Sequence, residues 1–154
     1  MIFGGQDMEK VIEFLIKSKK ETYAGSGREE TVSSRPESHD LYFIDGDLKY
    51  IDTYLGSEKF AGEEALWEND IPFWAMNYAG RVLSEKFSGD FLKEALLNVQ
   101  EDAPYRGPER YENGLYLYKC EVKGDFNWFN GLEEIFYDDV LVFECVFHGG
   151  IIKQ

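Results

Sequence analysis

The chain has 154 residues and a formal net charge of −14, because 30 acidic residues outnumber 16 basic ones. A chain of this length is expected to make a single domain over residues 1–154. Its charge repels nucleic-acid backbones and anionic lipid headgroups, so we expect no direct nucleic-acid partner and no membrane partner. Aromatic residues make up 16% of the chain, and Tyr and Phe favour strands.

The amino-terminal sequence and the cysteines bear on the cellular compartment. The first residues, MIFGGQDMEK, lack the basic start and apolar run of a signal peptide. No apolar stretch of the sequence approaches the roughly 20 residues that a membrane span needs. We therefore expect a cytoplasmic protein in which Cys120 and Cys145 are free thiols.

The first elements are a helix and a long polar loop. Apolar residues at helical spacing predict a helix over residues 7–20, with Asp7 as its cap. Its apolar stripe consists of Met8, Val11, Ile12, Leu15 and Ile16. Its last turn carries Lys17, Lys19 and Lys20, where cations complement the helix dipole. Residues 24–38 are polar and rich in Gly and Ser, which predicts a loop long enough to act as a lid.

Strand-like runs separated by turn residues predict a sheet. Asp45-Gly46 and Asn69-Asp70 mark two hairpins, because tight two-residue turns need residues that accept positive φ. A second helix is predicted over residues 89–99, with Ser88 as its cap. The final strands are predicted at 115–123, 126–137 and 140–148, with turns at Gly124 and Asp138-Asp139. The expected class is α+β: a curved antiparallel sheet of about seven strands with two amphipathic helices packed on one face.

Polar groups set among aromatic ones suggest a pocket on the concave face of this sheet. Asp52 shares a strand face with Tyr50 and Tyr54. In the last strand, Glu144 and His148 share a largely apolar face, and we expect this strand to be central and covered on both sides. A buried carboxylate there must find a partner or take up a proton. A polar pocket and a satisfied structural pair both explain these two residues.

The candidate ligand-binding residues are polar and aromatic side chains of the predicted strands and their ends. They are His39, Asp52, Glu64, Trp74, Tyr78, Trp128, Glu144 and His148. Ordinary sheet core also explains the aromatic members, although Trp128 lies near a turn and is the preferred pocket or rim residue. The dense ligand spacing of metal sites such as His-Glu-x-x-His is absent, so we expect no metal and no cofactor.

Two further positions admit a functional and a structural interpretation. His39 is a base oriented by a carboxylate, or it closes the loop together with Asp40 by hydrogen bonds. Adjacent strand residues point to opposite faces, so His39 and Asp40 should not pair with each other. Arg106, in the segment PYRGP, clamps an anion or is a salt-bridge partner.

Several segments together carry a resemblance to a known family. They are SRPESHDLYFIDGDLKYIDTYLGSEKFAGEEALW, PFWAMNYAGRVL, FSGDFLKEALL, PYRGPERY and FECVFHGGIIK. Over residues 9–153 the chain resembles a family of bacterial domains of unknown function, some of which are fused behind a helix-turn-helix DNA-binding domain. The resemblance implies a sensor or effector-binding module and supplies no catalytic residue. No helix-turn-helix domain fits before residue 8, which weakens the regulator implication and leaves ligand binding.

Three functional hypotheses follow. The leading one is a small-molecule-binding or sensor-like domain without catalysis, whose partner is a small ligand. The second is a small hydrolase or isomerase that uses a histidine–carboxylate pair. The third is a protein–protein interaction module that pairs through an exposed edge strand or aromatic patch, in which case a homodimer is expected.

Overall fold

The computed structural model describes residues 5–22, 24 and 29–154, the first two of them by their backbone. Over these residues the chain forms two helices and eight strands. In chain order they are α1 (Gly5–Glu21), β1 (His39–Asp45), β2 (Leu48–Gly56), β3 (Lys59–Glu68), β4 (Ile71–Val82), α2 (Gly89–Leu96), β5 (Arg110–Asn113), β6 (Tyr116–Asp125), β7 (Trp128–Tyr137) and β8 (Val140–Ile151).

The strands that the structure describes form one antiparallel sheet in the order β1-β2-β3-β4-β8-β7-β6-β5. The first four strands run from one edge to the centre, and the last four run from the other edge back to the centre. The chain segment that contains α2 therefore connects the central strand β4 to the far edge strand, β5. The α+β class with a curved antiparallel sheet is confirmed, and the described strand count is eight rather than seven.

The extra strand is β5, which lies between the predicted second helix and the strand predicted at 115–123, where the sequence predicts neither a helix nor a strand. It has four residues at the sheet edge and pairs with β6, with Arg110 opposite Lys119. Pro104 and Pro108 precede it, and prolines are typical of loops and sheet edges because they cannot donate a ladder hydrogen bond. The sequence of β5 alone predicts a strand only weakly. The strand forms because these four residues pair with the longer strand β6.

Both helices contribute to one hydrophobic core on a single face of the sheet, called here the inner face. α1 supplies Val11, Phe14 and Leu15, and α2 supplies Phe91 and Leu92. The sheet supplies large, fully buried side chains, namely Tyr50, Trp74, Tyr118, Phe129, Phe143 and Phe147. Alternation along each strand sends one set of side chains to this core and the other set to the outer face.

The two helices differ in how closely they follow the prediction. Ser88 caps α2 as predicted, since its hydroxyl accepts a hydrogen bond from the Phe91 amide at 3.2 Å. α1 begins at Gly5, so Asp7 lies in its first turn and is not the cap. The buried side of α1 is also rotated from the predicted stripe, because Phe14 and Lys19 are buried whereas Ile16 is half-buried. Neither helix of the described chain is long and apolar enough to cross a membrane.

Two of the predicted turns are confirmed by the backbone. Asn69 and Asp70 have φ values of 51° and 64°, between β3 and β4. Asp138 and Asp139 have values of 47° and 64°, between β7 and β8. Asn and Asp tolerate this left-handed region better than other residues with side chains, which is why they mark such turns.

Two other turns are shifted from their predicted positions. Asp45 pairs with Leu48, so the turn consists of Gly46 and Asp47, with a φ of 60° at Gly46. Gly124 lies inside β6, and the turn to β7 is formed by residues 126–127. In both cases the strand pairing extends further than the glycine alone indicates.

The last strand, β8, is central as predicted but is covered on one face. Phe143, Cys145 and Phe147 are buried on the inner face. Val146 is 55% exposed on the outer face, and His148 is exposed beside it. The expectation of cover on both sides is therefore wrong, because both described helices pack on the inner face and leave the apolar Val146 in contact with solvent.

Candidate functional site

A cavity of about 260 Å³ lies between the inner face of the sheet and α2. Much of its wall is aromatic, with Phe60 from β3, Phe87 from the turn before α2 and Phe143 from β8. Asp52 and Tyr78 contribute polar groups to the lining, and both side chains are buried. The cavity therefore combines apolar walls with polar groups at depth.

Gly62 makes room for the polar side of this cavity. It lies on β3 between Tyr54 of β2 and Tyr78 of β4, in register with both. A Cβ atom at residue 62 would lie 2.6 Å from the Tyr78 hydroxyl and 2.6 Å from the Thr53 carbonyl oxygen. The lack of a side chain at this position is what allows the Tyr78 hydroxyl to extend over β3 towards β2.

Asp52 and Tyr78 form a buried hydrogen-bonded pair. The Tyr78 hydroxyl donates to Oδ1 of Asp52 at 2.5 Å. Burial, followed by the negative charge of Glu64, raises the pKa of Asp52 to about 7, against the opposing effects of the Tyr78 hydrogen bond and of the charges on Lys19 and Arg106. Burial and the neighbouring Asp52 raise the pKa of Tyr78 above its ordinary value. Asp52 thus titrates near neutral pH at the cavity wall.

Glu64, beside Asp52 on the neighbouring strand, has its own cation. Nζ of Lys19 lies 2.6 Å from Oε2 of Glu64 and 2.6 Å from the Tyr105 carbonyl oxygen. The Tyr50 hydroxyl donates a hydrogen bond to the other carboxylate oxygen of Glu64. Burial lowers the pKa of Lys19, although Glu64 acts in the opposite direction. This pair joins α1 to strand β3 of the sheet.

Arg106 and Glu133 form a second buried ion pair. Arg106 donates from Nε and from Nη2 to Glu133, the latter at 2.8 Å. The Tyr118 hydroxyl donates to Oε2 of Glu133 at 2.5 Å and accepts from the Gly107 amide at 2.7 Å. Burial acts to lower the pKa of Arg106, but Glu133 holds that pKa well above its ordinary value. The guanidinium lies 5.4 Å from the ring centroid of Tyr78, so this pair adjoins the Asp52 pair.

The structure brings some of the predicted ligand residues together. His39, Asp52 and Tyr78 line the cavity, and Glu64 lies opposite Asp52 on β3. Trp74 lies elsewhere in the core, fully buried, with its ring stacked 4.9 Å from that of Phe126. Its indole nitrogen donates to the Phe126 carbonyl oxygen at 3.0 Å. Trp74 therefore has the structural surroundings of an ordinary core residue.

The other three predicted residues lie away from the cavity. Trp128 begins β7 and is 77% exposed. Glu144 accepts a hydrogen bond from Nε of Arg81 at 2.7 Å, and His148 is exposed on the same strand face. Strand alternation sends them to the outer face, since their neighbours in the sequence point inwards. Glu144 and His148 therefore lie on the opposite face of the sheet from Asp52, so these three residues do not line one pocket.

His39 forms a histidine–carboxylate pair at the mouth of the cavity. Its Nδ1 is hydrogen-bonded to Oε1 of Glu29, and both side chains are partly exposed. Its ring stacks on Tyr54 with a centroid separation of 4.7 Å. The carboxylate partner is thus Glu29, within the polar loop, and not the adjacent Asp40, as strand alternation requires.

Asp40 closes the polar loop. It accepts hydrogen bonds from the Ser34 amide at 2.7 Å, the Ser34 hydroxyl at 2.9 Å and the Ser38 hydroxyl at 3.0 Å. Burial acts to raise the pKa of Asp40, but hydrogen bonds from Thr53, Ser34 and Ser38 lower it to about 2. The loop-closing interpretation is confirmed for Asp40. Residues 25–28 of the predicted lid lie outside the described part of the chain.

Five buried charged residues form a network in this part of the core: Lys19, Asp52, Glu64, Arg106 and Glu133. Sequence reasoning missed two of them, Lys19 and Glu133. Lys19 follows Leu15 by four residues, so it continues the buried side of α1, whereas its place in the last turn also fits a cation that complements the helix dipole. Glu133 shares a strand face with Phe129 and Ile135, so it is a charged residue on an apolar face. For Arg106, which had two interpretations, the salt bridge to Glu133 confirms the structural one.

Other reactive groups give little support for catalysis by metal or thiol. Over the described residues, no group of three or more His, Cys, Asp or Glu side chains is arranged to hold a metal ion. Cys120 and Cys145 are buried free thiols, and burial raises the pKa of each to about 12. A thiol with so high a pKa is almost entirely protonated at neutral pH and is a poor nucleophile.

The fold and the cavity define an α+β domain whose antiparallel sheet carries a polar cluster beneath an aromatic cavity. The chain belongs to the family described as "Domain of unknown function (DUF5680)", whose model matches residues 52–152. Comparison with curated proteins gives no match, and comparison with solved structures gives none. The matched residues include Asp52, Glu64, Tyr78, Arg106 and Glu133.

Proposed function

We propose that this protein is a small-molecule-binding, sensor-like domain without catalysis, and that the cavity beside α2 is its ligand site. The observation that carries the proposal is the pairing of aromatic walls with the buried Asp52–Tyr78 pair in one cavity. Ligand sites typically combine a concave apolar lining with a few fixed polar groups.

The size of the cavity limits the ligand. About 260 Å³ is slightly below the ~300–1,000 Å³ range of pockets that hold drug-sized molecules, so the ligand is small. The aromatic side chains Phe60, Phe87 and Phe143 provide its apolar contacts.

A cytoplasmic location is part of the same proposal, and two free, buried thiols are consistent with a reducing compartment.

Native mass spectrometry of freshly purified protein, set against its denatured mass, tests the proposal. We expect an additional mass that is lost on denaturation and is recovered as a small organic compound. Ser57→Trp enlarges an exposed side chain of the cavity lining and should abolish the additional mass. Glu58→Trp, the adjacent exposed residue in the same turn and not part of the lining, is the matched control and should retain it.

Other results of this experiment would count against the proposal. An additional mass that survives unchanged in Ser57→Trp would place the ligand elsewhere. A bare dimer would instead support the interaction-module hypothesis, because the native mass also reports the oligomeric state.

A small hydrolase or isomerase is the second candidate function. The observation that favours it is the His39–Glu29 hydrogen bond at the mouth of the cavity that also holds Asp52. A histidine held by a carboxylate is a common general base. Incubation of the recovered compound with excess protein tests it: a change of covalent structure that His39→Ala prevents would establish the enzyme.

A further inference from the structure

We propose that the ligand of this cavity carries a protonated amine on a small apolar body, and that the amine binds the carboxylate of Asp52. This inference rests on the proposed function, since it names the chemical class of ligand that the same cavity takes.

The first step is the distribution of charge around the cavity. Among the described residues, the buried network holds three carboxylates, on Asp52, Glu64 and Glu133, and two cations, on Lys19 and Arg106. Lys19 pairs with Glu64 at 2.6 Å, and Arg106 pairs with Glu133 at 2.8 Å. Asp52 has the Tyr78 hydroxyl as its hydrogen-bond partner and no salt bridge within the described chain. A ligand cation would complete the pairing of charges.

The second step is access. Asp52 is 97% buried from solvent by the folded chain, yet it lines the cavity. The Tyr78 hydroxyl bonds to Oδ1, which leaves Oδ2 for a donor from the ligand. The same cavity is lined by Phe60, Phe87 and Phe143, which provide apolar contacts for the body that bears the amine.

The third step weighs the cations that also line the cavity. The hydrogen bonds of Arg106 within the described chain run from Nε and Nη2 to Glu133, which already neutralises the guanidinium. Lys93 is exposed at the surface of α2, where water screens it. His39 is held by Glu29 at the mouth. An anionic ligand would therefore meet an occupied arginine and the unpaired carboxylate of Asp52, which repels it.

The fourth step is the proton that this binding displaces. The groups that face Asp52 and act on its charge are Lys19 from α1, Glu64 from β3, Tyr78 from β4 and Arg106 from the loop before β5. Their combined effect with burial puts the pKa of Asp52 at about 7. Below that pH the empty site holds a proton on Asp52, and an ammonium group that binds the carboxylate releases it to solvent. Affinity for the amine should therefore rise as the pH increases from 6 to 8.

A matched set of three probes tests the inference: 2-phenylethylamine, 2-phenylethanol and 3-phenylpropionate, titrated by NMR into the purified protein. We expect the amine to bind most tightly, with affinity that rises from pH 6 to pH 8. Asp52→Asn should weaken the amine by about tenfold or more, a difference of about 1.4 kcal/mol, while changing the alcohol little. Tyr78→Phe keeps the carboxylate and should retain the preference for the amine.

The outcomes separate this inference from the function on which it rests. Tighter binding of the alcohol or the carboxylate than of the amine in the cavity would overturn the amine assignment and leave the ligand site standing. Equal amine affinity in the wild-type and Asp52→Asn proteins would also overturn it. Failure of all three probes to bind at millimolar concentration, together with a bare native mass, would overturn both.

Discussion

Asp52 and Glu64 lie directly opposite each other on β2 and β3, and both carboxylates are buried on the inner face. Glu64 is paired with Lys19, whereas Asp52 faces the cavity with a tyrosine hydroxyl as its partner. A second carboxylate so close to the first costs folding free energy when both are ionised. Destabilising charged groups of this kind cluster at functional sites, so the position of Asp52 at the cavity wall supports the proposed ligand site.

Asp52→Asn should stabilise the protein at alkaline pH. The pKa of Asp52 is raised from 3.8 to about 7, so the folded state holds the proton more tightly than the unfolded state. The resulting penalty is absent below about pH 4, grows as the pH rises to about 7 and is constant above it. Asparagine still accepts the Tyr78 hydrogen bond without the charge. The melting temperature of the variant, relative to wild type, should increase between pH 4 and pH 8; a variant that is less stable at pH 8 would contradict this.

Asp40→Asn should show the opposite dependence on pH. Its pKa is lowered from 3.8 to about 2 by the hydrogen bonds that the carboxylate accepts. Its stabilising effect is fully present above about pH 4 and is lost as the pH falls through 2. Urea unfolding at pH 6 should show a loss of about 1–3 kcal/mol in the variant, and the loss should narrow towards pH 2. Asp45→Asn, at an exposed carboxylate 3.3 Å from Lys17, is the control and should change stability by about 0–1 kcal/mol.

Lys19→Met should destabilise the fold strongly, because it leaves the Glu64 carboxylate buried without its cation. Loss of one partner of a buried ion pair typically costs about 3–5 kcal/mol, which urea unfolding measures. Lys17→Met, at an exposed helix position, should cost about 1 kcal/mol or less. The double variant Lys19→Met/Glu64→Gln should recover part of the loss. A single Lys19→Met variant as stable as Lys17→Met would show that the pair is not formed.

Gly62→Ala should destabilise the fold and disturb the cavity. The added Cβ would lie 2.6 Å from the Thr53 carbonyl oxygen, so the backbone of β2 must move, and 2.6 Å from the Tyr78 hydroxyl. Overpacking of this kind typically costs about 1–3 kcal/mol. Gly89→Ala is the control, because a Cβ there meets open space at the start of α2. That variant should be neutral or more stable in thermal unfolding, since alanine favours a helix by up to about 1 kcal/mol.

The local features of the fold could be predicted from the sequence, and its long-range pairings could not. The turns at Asn69-Asp70 and Asp138-Asp139 depend on residues adjacent in sequence, and alternation put Asp52 on the same face as Tyr50. The ion pair of Arg106 and Glu133 joins residues 27 positions apart, so nothing local identifies the partners.

The sequence predicts only part of the candidate site, because local patterns do not determine how distant elements pack. Asp52 and Tyr78 meet because β2 and β4 both flank β3, an arrangement that follows from two hairpins in succession. Glu144 and His148 were grouped with them because both faces of β8 carry apolar residues. Which face the helices cover is decided by the packing of α1 and α2, and the alternation of one strand does not contain that information.

The most direct test of the central claim is the set of backbone amides that respond when 2-phenylethylamine is titrated into ¹⁵N-labelled protein. The cavity assignment predicts the largest NMR shift changes at lining residues such as Gly56 and Gly89, and little change at Val146 and His148 on the outer face. It also predicts that the response of the lining amides weakens in Asp52→Asn. Changes confined to the outer face, or a response at the lining that Asp52→Asn leaves intact, would contradict the account.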